Sequence, residues 1–445
     1  MSIWRIQTKT SKGDIAEYCL RNKIAAVGWS LTEYSNRSEF FNLNFWDYCE
    51  YADKIYNSYD SVIRLANYIK ENDIIWMRKD GKYYFARVKS TSKWKFNNEL
   101  DAVELDACNQ LSDIEWIEDG LDESEVPGAL TTAFIRGSTF QRINKAGICE
   151  FSELIYNQMC DSVFKYSRTI KLDKDVFYSL ISPSDCEDLL CMWLFKENKY
   201  VCIPSTNKIS TEKYECVLID SNTGNHIYIQ VKNGEINLNT DDYYSLVKST
   251  ENKVYLLTTK GKIENINKYD NVIAVNPDIL FEFAINEENT KIIPPNIKYW
   301  IEFAGGYYNG IDKKGIVFDT DSKIDGHEEY MFANNVVAAW GKASRYIKSF
   351  SKGDYVFYYK KGYGIIAIGI INSEKPRKIE SGLEYDVKIL VSPLYNNNKP
   401  LAFISANELK QIINKSFYFA STRKVPFLDE KESKILVDIL KNKGH

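Results

Sequence analysis

The stretch that decides the central fold reads YECVLID over residues 214–220, SNTGN over 221–225 and HIYIQVK over 226–232. Apolar side chains alternate along both outer segments, as they do in strands that are buried on one face. The middle segment is built from Ser, Asn, Thr and Gly, which favour turns. The stretch therefore predicts a β-hairpin in which Glu215 lies near the far end of the second strand. Asp220 is interpreted as the residue that opens the turn through an Asx hydrogen bond.

Four polar side chains are expected to meet at that end of the hairpin. Gln230 and Lys232 are two positions apart and so share one face of a strand. Glu215 begins the preceding strand, and Glu187 lies on a predicted helix over 183–196. Oxygen ligands of this kind hold Mg²⁺, which activates water and neutralises charge during phosphodiester hydrolysis. A lysine close to the attacking water assists the same reaction.

Each of these residues also has an ordinary structural interpretation. Glu187 would then be a surface acid stabilised by the dipole at the start of its helix. Lys232 would be an exposed strand residue before a turn at 233–234, and Glu215 would close the end of a strand. The sequence leaves these alternatives open.

The same residues resemble the PD-(D/E)xK nuclease superfamily, in the Gln-x-Lys form of the Mrr-like restriction endonucleases. The matching segments are SPSDCEDLL at 182–190, YECVLI at 214–219 and YIQVKNG at 228–234. The resemblance implies that Glu187 binds a metal ion directly or through water and that Glu215 is the main ligand. It also implies that Gln230 and the Val231 carbonyl complete the site and that Lys232 orients or activates water. The implied ion is Mg²⁺, with Mn²⁺ as the alternative.

Two positions depart from the commoner pattern of that superfamily. Glu215 stands where Asp is commoner, and Gln230 stands where an acid is commoner. Losing one negative charge should weaken metal binding, which would then depend on Glu187 and Glu215.

The composition excludes several classes of protein. The chain of 445 residues has 44% hydrophobic and 27% charged residues, as ordinary globular proteins do. It contains no apolar run of about eighteen residues and no secretion signal at residues 1–9, so a cytoplasmic protein is expected. Nine cysteines without a C-x-x-C pair, and only three histidines, give no zinc-ligand spacing. Cys186 and Cys191 are interpreted as core thiols.

Three modules are predicted along the chain, at 1–160, 161–296 and 297–445. The expected fold class is multidomain α/β and α+β, with a restriction-endonuclease-like α/β core and a mixed sheet between two small β-barrels. The first module should contain a hairpin over 73–88, because Asp80-Gly81 separates two apolar strands. The third module is the basic end, with 22 basic and 17 acidic residues over 300–445, a weak indication of an acidic partner.

The first and third modules share a pattern: a strand leading to a Trp, a helix, a turn ending in Asp, and an aromatic-rich hairpin. The shared Asp residues are Asp73 and Asp354. This pattern resembles the PUA/EVE class of small barrels, which implies a pocket where an aromatic ring stacks on a flipped nucleotide. The candidate rings are Trp29, Trp46 and Trp340, each of which could instead be a core residue, whereas Trp76 is expected in the core.

Three cations follow Trp340 at helical spacing: Lys342, Arg345 and Lys348. They could follow a phosphate backbone, although a solvated helix face explains them equally well.

Together these features predict a Mg²⁺-dependent DNA endonuclease whose cleavage depends on a base modification, as in restriction or anti-phage defence. An RNA-directed nuclease and a non-catalytic nucleic-acid-binding protein with a degenerate nuclease core remain alternatives. A double-strand cut by one site per chain would favour a homodimer.

Overall fold

The structure is a computed structural model of the whole chain. It describes all residues except those at 9–12, 33–42, 161–162, 165–169, 171, 204–212, 249, 290, 306–313, 321–323, 325, 349, 415–427 and 445. Among the described helices, none combines the length and the apolar character needed to cross a membrane.

Contacts between Cα atoms divide the chain into two compact units. Unit 1 comprises Met1–Tyr166, Val337–Ser351 and Ser373–Asp386. Unit 2 comprises Ser167–Val336, Lys352–Asn372 and Val387–His445. The module boundaries at 160 and 296 stay predictions, since contact between segments does not define which segments fold independently.

The first segment of the chain combines two sheets with six helices. Its strands are β1 (Ile3–Ile6), β2 (Ala25–Val27), β3 (Ile74–Lys79), β4 (Lys82–Arg87), β5 (Trp94–Phe96), β6 (Asn109–Leu111), β7 (Glu115–Trp116) and β8 (Phe140–Ile143). Its helices are α1 (Ile15–Asn22), α2 (Phe45–Ile55), α3 (Asp60–Ile63), α4 (Leu100–Glu104), α5 (Gly128–Ala133) and α6 (Ile148–Met159). The sheets have the orders β7-β4-β3-β1-β8 and β2-β6-β5.

The hairpin predicted over 73–88 is confirmed as β3 and β4, which pair antiparallel up to Lys79 and Lys82. The two-residue turn between them has positive φ angles at Asp80 and Gly81, which matches the twist of the flanking strands. Trp76 is fully buried in β3 and donates its indole N–H to Ser152 Oγ at 3.0 Å. Its predicted place in the core is confirmed.

The central segment is a mixed α/β arrangement. Its strands are β9 (Tyr200–Cys202), β10 (Cys216–Asp220), β11 (His226–Lys232), β12 (Leu238–Asn239), β13 (Lys253–Thr258), β14 (Ile263–Glu264) and β15 (Val272–Ala274). Its helices are α7 (Lys174–Leu180), α8 (Pro183–Asn198), α9 (Tyr244–Val247), α10 (Pro277–Ile285) and α11 (Pro295–Gly305). The main sheet has the order β15-β13-β11-β10-β9, antiparallel among β9, β10 and β11 and parallel from β11 to β15.

The predicted hairpin over 214–232 is confirmed as β10 and β11, with Cys216 opposite Ile229. Asp220 accepts a hydrogen bond from the backbone N–H of Asn222 at 2.9 Å, so its predicted Asx turn is also confirmed. Gly224 closes the turn with φ +76°, a conformation that glycine adopts without strain.

The described residues of the last segment form a larger sheet, a two-stranded sheet of β22 and β23, and four helices. Its strands are β16 (Gly315–Asp319), β17 (Val336–Trp340), β18 (Tyr355–Lys360), β19 (Gly364–Ile371), β20 (Arg377–Ile379), β21 (Gly382–Val391), β22 (Tyr395–Asn396) and β23 (Lys399–Pro400). Its helices are α12 (His327–Asn334), α13 (Ser344–Ile347), α14 (Ala406–Ile413) and α15 (Glu430–Lys443). The sheet has the order β16-β18-β19-β21-β17, with β20 paired to β21.

The expected combination of α/β and α+β structure is therefore present. In the described part of the chain the strand orders are open at both ends, and no sheet closes on itself. The restriction-endonuclease-like core and the two barrels stay predictions.

The last part of the shared pattern is present in both segments, since a hairpin, β3–β4 or β18–β19, follows each shared Asp. β1 runs parallel to β3, and β16 runs parallel to β18. In each copy one further backbone hydrogen bond extends this pairing, from the Ile74 N–H to the Ser2 carbonyl before β1 and from the Tyr355 N–H to the Lys314 carbonyl before β16. One detail of the prediction is wrong: β2 ends at Val27, before Trp29, whose φ of +63° is incompatible with a strand.

A buried aspartate holds the corresponding corner of each copy. The Asp73 carboxylate accepts hydrogen bonds from the Ser2 N–H at 2.6 Å and from the Trp4 indole at 2.8 Å. The Asp354 carboxylate lies 3.2 Å from the Lys314 ammonium group. Since both acids are almost completely buried, these donors compensate the loss of hydration that burial imposes.

We expect Asp73→Ala and Asp354→Ala each to lower the free energy of unfolding by about 2–3 kcal/mol, because each leaves buried donors without an acceptor. Glu50→Ala is the control, since the Glu50 side chain is 72% exposed on α2 and its loss should cost less than about 0.5 kcal/mol. Urea unfolding followed by circular dichroism measures the differences. Equal midpoints for the three variants would contradict the role assigned to the buried acids.

Candidate active site

Helix α8 carries Glu187, and its start is fixed by local sequence. Ser182 caps the helix: its hydroxyl accepts from the Asp185 N–H, and the Asp185 carboxylate accepts from the Ser182 N–H at 2.8 Å. Pro183 occupies the first helical turn, where its missing N–H has no cost. This capping box sets where the helix begins, and therefore sets Glu187 in its first turns.

The hairpin gathers three of the four predicted side chains. Gln230 donates from Nε2 to Glu215 Oε1 at 2.8 Å, and Lys232 donates from Nζ to the same oxygen at 2.9 Å. The backbone N–H of Glu215 donates to the Ile229 carbonyl at 2.8 Å. Glu215 thus lies just before β10 yet is held in register with β11.

Glu187 is electrostatically linked to this group. Burial, and after it the nearby negative charge of Glu215, raise the pKa of the Glu187 carboxyl to about 7. The positive charge of Lys232 acts in the opposite direction on the same pKa. Glu215, Gln230 and Lys232 are joined by hydrogen bonds, whereas Glu187 on α8 is linked to them through these charge interactions; we call the four residues the polar cluster.

One buried acceptor atom of the polar cluster lacks a hydrogen bond among the described residues. Gln230 is fully buried, and its Oε1 has no hydrogen-bond partner among the described residues. A buried acceptor without a partner is costly, and a bound cation would supply what it lacks. Two carboxylates and an amide oxygen are hard donors of the type that Mg²⁺ and Mn²⁺ prefer. Val231, whose carbonyl was predicted as a further ligand, lies between Gln230 and Lys232 in β11.

Asn233 is a positioning residue that the sequence did not reveal. Its side-chain amide donates to the carbonyls of Tyr178 and Ile181, both at 3.1 Å, and its Oδ1 accepts from Thr259 Oγ1 at 2.8 Å. It therefore ties the end of β11 to the connection that leads into α8. In sequence, the Asn-Gly pair at 233–234 indicated only a turn.

The predicted aromatic residues of unit 1 have different surroundings. Trp29 is half-buried, donates from Nε1 to the Ser58 carbonyl at 2.9 Å, and lines a cavity of about 250 Å³ together with Tyr56 and Asp106. Trp46 lies in the first turn of α2 and is 80% exposed. Trp340 ends β17 and is half-buried. Their assignment to nucleic-acid binding stays a prediction.

The three predicted cations also differ. Lys342 is largely exposed, 3.9 Å from Asp122. Arg345 forms a shielded ion pair with Glu125, and Lys348 donates to the Met159 carbonyl at 3.1 Å. Arg345 and Lys348 thus already have protein partners, and Lys342 is the most accessible of the three.

No protein-family model and no curated protein matches this sequence. Among solved structures, the Pho92 YTH domain in complex with m6A is similar over 29% of this chain and 86% of that chain, at 12% identity. The TM-score of 0.21 is too low for this likeness to bear on fold or function.

The raised pKa of Glu187 predicts a pH dependence of stability. Between its ordinary value of 4.5 and about 7, the folded chain keeps a proton that the unfolded chain has lost. The contribution of Glu187 is therefore fully present below about pH 4.5 and is lost as the pH rises through about 7. We expect the unfolding free energy of Glu187→Gln, measured in the presence of a metal chelator, to lack this decline with rising pH.

Glu215→Gln provides an independent check on the cause. Because the charge of Glu215 raises the pKa of Glu187, this variant should move that pKa back toward 4.5. Carboxyl ¹³C NMR titration of Glu187 measures both values. A wild-type titration near 4.5, or one unchanged in Glu215→Gln, would show that the two carboxyl groups do not interact.

Proposed function

We propose that this protein is a Mg²⁺-dependent endonuclease that hydrolyses phosphodiester bonds in DNA. The observation that carries the proposal is the convergence of Gln230 and Lys232 on one carboxylate oxygen of Glu215. The charges of Glu215 and Lys232 also act on the pKa of Glu187. Glu215, Gln230 and Lys232, which are 15 and 17 positions apart in sequence, thus form one compact group of acidic, amide and basic side chains.

The residues present fit a hard divalent ion. Glu187, Glu215 and the unpaired Gln230 Oε1 would hold it, with Mn²⁺ as a substitute for Mg²⁺. When bound, such an ion supplies Lewis acidity and lowers the pKa of a coordinated water.

The chain's own groups have separate tasks. Glu215 already accepts two hydrogen bonds from β11, so its carboxylate is fixed before any ligand arrives. Lys232 brings a positive charge to the rim of the cluster, where it is one-third exposed and able to reach a substrate phosphate. Preorganised charge of this kind stabilises the negative charge that develops during hydrolysis. Asn233 positions both groups by anchoring the end of β11.

Recognition of a modified base is the finer part of the proposal. Trp29 beside its cavity and the exposed Trp46 offer aromatic surface on which a base could stack. The link between recognition and cleavage rests on the order of the modules, which is an argument from architecture. It is consistent with a restriction or anti-phage enzyme.

The first test is a substrate panel with purified full-length protein and Mg²⁺. The substrates are one plasmid unmodified, the same plasmid with methylated adenine or methylated cytosine, and a structured RNA. We expect cleavage of a modified plasmid and its loss in EDTA. Cleavage of RNA alone would overturn the DNA assignment, and equal cleavage of all plasmids would overturn the dependence on modification.

The second test separates a catalytic site from a degenerate one. We expect Lys232→Ala to lower the cleavage rate at least about 100-fold, because a preorganised donor is removed, while DNA binding in a gel-shift assay changes little. Lys174→Ala is the matched control: Lys174 pairs with Asp278 at 2.7 Å and is 38% exposed, against 33% for Lys232.

If Lys232→Ala cleaves like Lys174→Ala, the polar cluster is not the catalytic site. If the wild-type protein binds nucleic acid but cleaves none of the panel, the nuclease proposal fails, and the protein is instead a non-catalytic nucleic-acid-binding protein.

A further inference from the structure

Three cysteines that are far apart in sequence meet beside the same hairpin. Cys191 lies in the middle of α8, Cys202 ends β9, and Cys216 begins β10. Their sulfur atoms all lie within 4.8 Å of one another, and the Sγ atoms of Cys191 and Cys216 are 3.6 Å apart. We call these three residues the thiol cluster.

The fold explains this meeting. β9 and β10 pair antiparallel with Cys202 opposite Leu218, so Cys202 and Cys216 are diagonal neighbours on one face. Helix α8 packs on β9 and β11 and brings Cys191 to that face. Cys216 is buried, whereas Cys191 and Cys202 are partly exposed.

The spacing suits one ion bound by three thiolates. A zinc–sulfur bond of about 2.3 Å places the sulfurs of a trigonal or tetrahedral site roughly 3.8–4.0 Å apart. The observed separations, from 3.6 Å up to the 4.8 Å limit, bracket that range. Side-chain adjustments of less than about 1 Å would complete the site.

The thiol cluster is chemically distinct from the polar cluster. Successive residues of a strand face opposite sides, so Cys216 points toward α8 while Glu215, the residue before it, bonds to Gln230 and Lys232. Thiolates select soft ions such as Zn²⁺ and Cu⁺, whereas carboxylates and amides select Mg²⁺ and Mn²⁺. One hairpin therefore separates soft donors from hard donors.

We propose that Cys191, Cys202 and Cys216 bind a single thiophilic d¹⁰ ion, Zn²⁺ or Cu⁺, independently of the Mg²⁺ site. Each thiol gives up its proton to solvent as its sulfur–metal bond forms, with no change in oxidation state. The bound ion links α8 to β9 and β10. Since Glu187 is one helical turn before Cys191 on α8, the link also steadies Glu187.

The test uses the full-length protein, reduced and stripped of metal. After incubation with Zn²⁺, or with Cu⁺ under anaerobic conditions, and removal of unbound ion, elemental analysis should find about one ion per chain. Cys191→Ser and Cys216→Ser should bind with affinity lowered more than about tenfold. Cys49→Ser is the control, since Cys49 lies on α2 and hydrogen bonds to Tyr59. Glu215→Gln should bind the ion as the wild-type protein does.

A second measurement uses only the wild-type protein, so it does not require the cysteine variants to fold. In the wild-type chain, the bound ion should slow alkylation of Cys191, Cys202 and Cys216, mapped by mass spectrometry, and leave alkylation of Cys49 unchanged. The relative affinities for Zn²⁺ and Cu⁺ decide between the two ions. Binding of neither ion, protection of other cysteines, or a disulfide formed between Cys191 and Cys216 in place of metal uptake would overturn the proposal. Glu215→Gln removes a ligand of the Mg²⁺ site and keeps all three thiols. Failure of one proposal can therefore be recognised independently of the other.

Discussion

The backbone register between β10 and β11 is the constraint on which the candidate site depends. It is set by the turn at 220–225 and by the Glu215 N–H, which donates to the Ile229 carbonyl. A slip of one residue would exchange the two faces of β11, moving Gln230 and Lys232 away from Glu215 and bringing Ile229 and Val231 to their place. Ile227, Ile229 and Val231 are buried, and the exposure that a slip would impose on them opposes it. The hydrophobic pattern of the hairpin thus fixes its chemistry as well as its fold.

Much of this arrangement could be predicted, because it depends on local rules. Alternation and turn composition predicted the 214–232 hairpin, Asp-Gly predicted the 73–88 hairpin, and the helix predicted over 183–196 is present as α8. What the sequence could not predict depends on three-dimensional proximity. Asn233 meets carbonyls more than fifty residues away, and the thiol cluster joins cysteines 11 and 14 positions apart, spacings that match no metal-binding motif.

The interpretation of Cys191 as a core thiol is therefore incomplete. Cys186 is fully buried among apolar residues, as expected, but Cys191 is partly exposed and faces two other sulfurs. Absence of a sequence motif excluded only ligands that are neighbours in sequence. The same limit applies to Arg345, whose spacing after Trp340 suggested an open cationic face, although its guanidinium is paired with Glu125. In both cases a side chain's role depends on which distant residue it meets.

The place of β1 in its sheet also constrains the order of events during synthesis. β1 lies between β3 and β8, so it needs two partners that are synthesised after it. Its second partner begins at Phe140, which is translated on the order of ten seconds later at ordinary elongation rates. Closing such long loops is also entropically unfavourable and slow. Ile3 and Ile6, which are buried in the folded chain, thus lack their partners on one side of β1 throughout that interval.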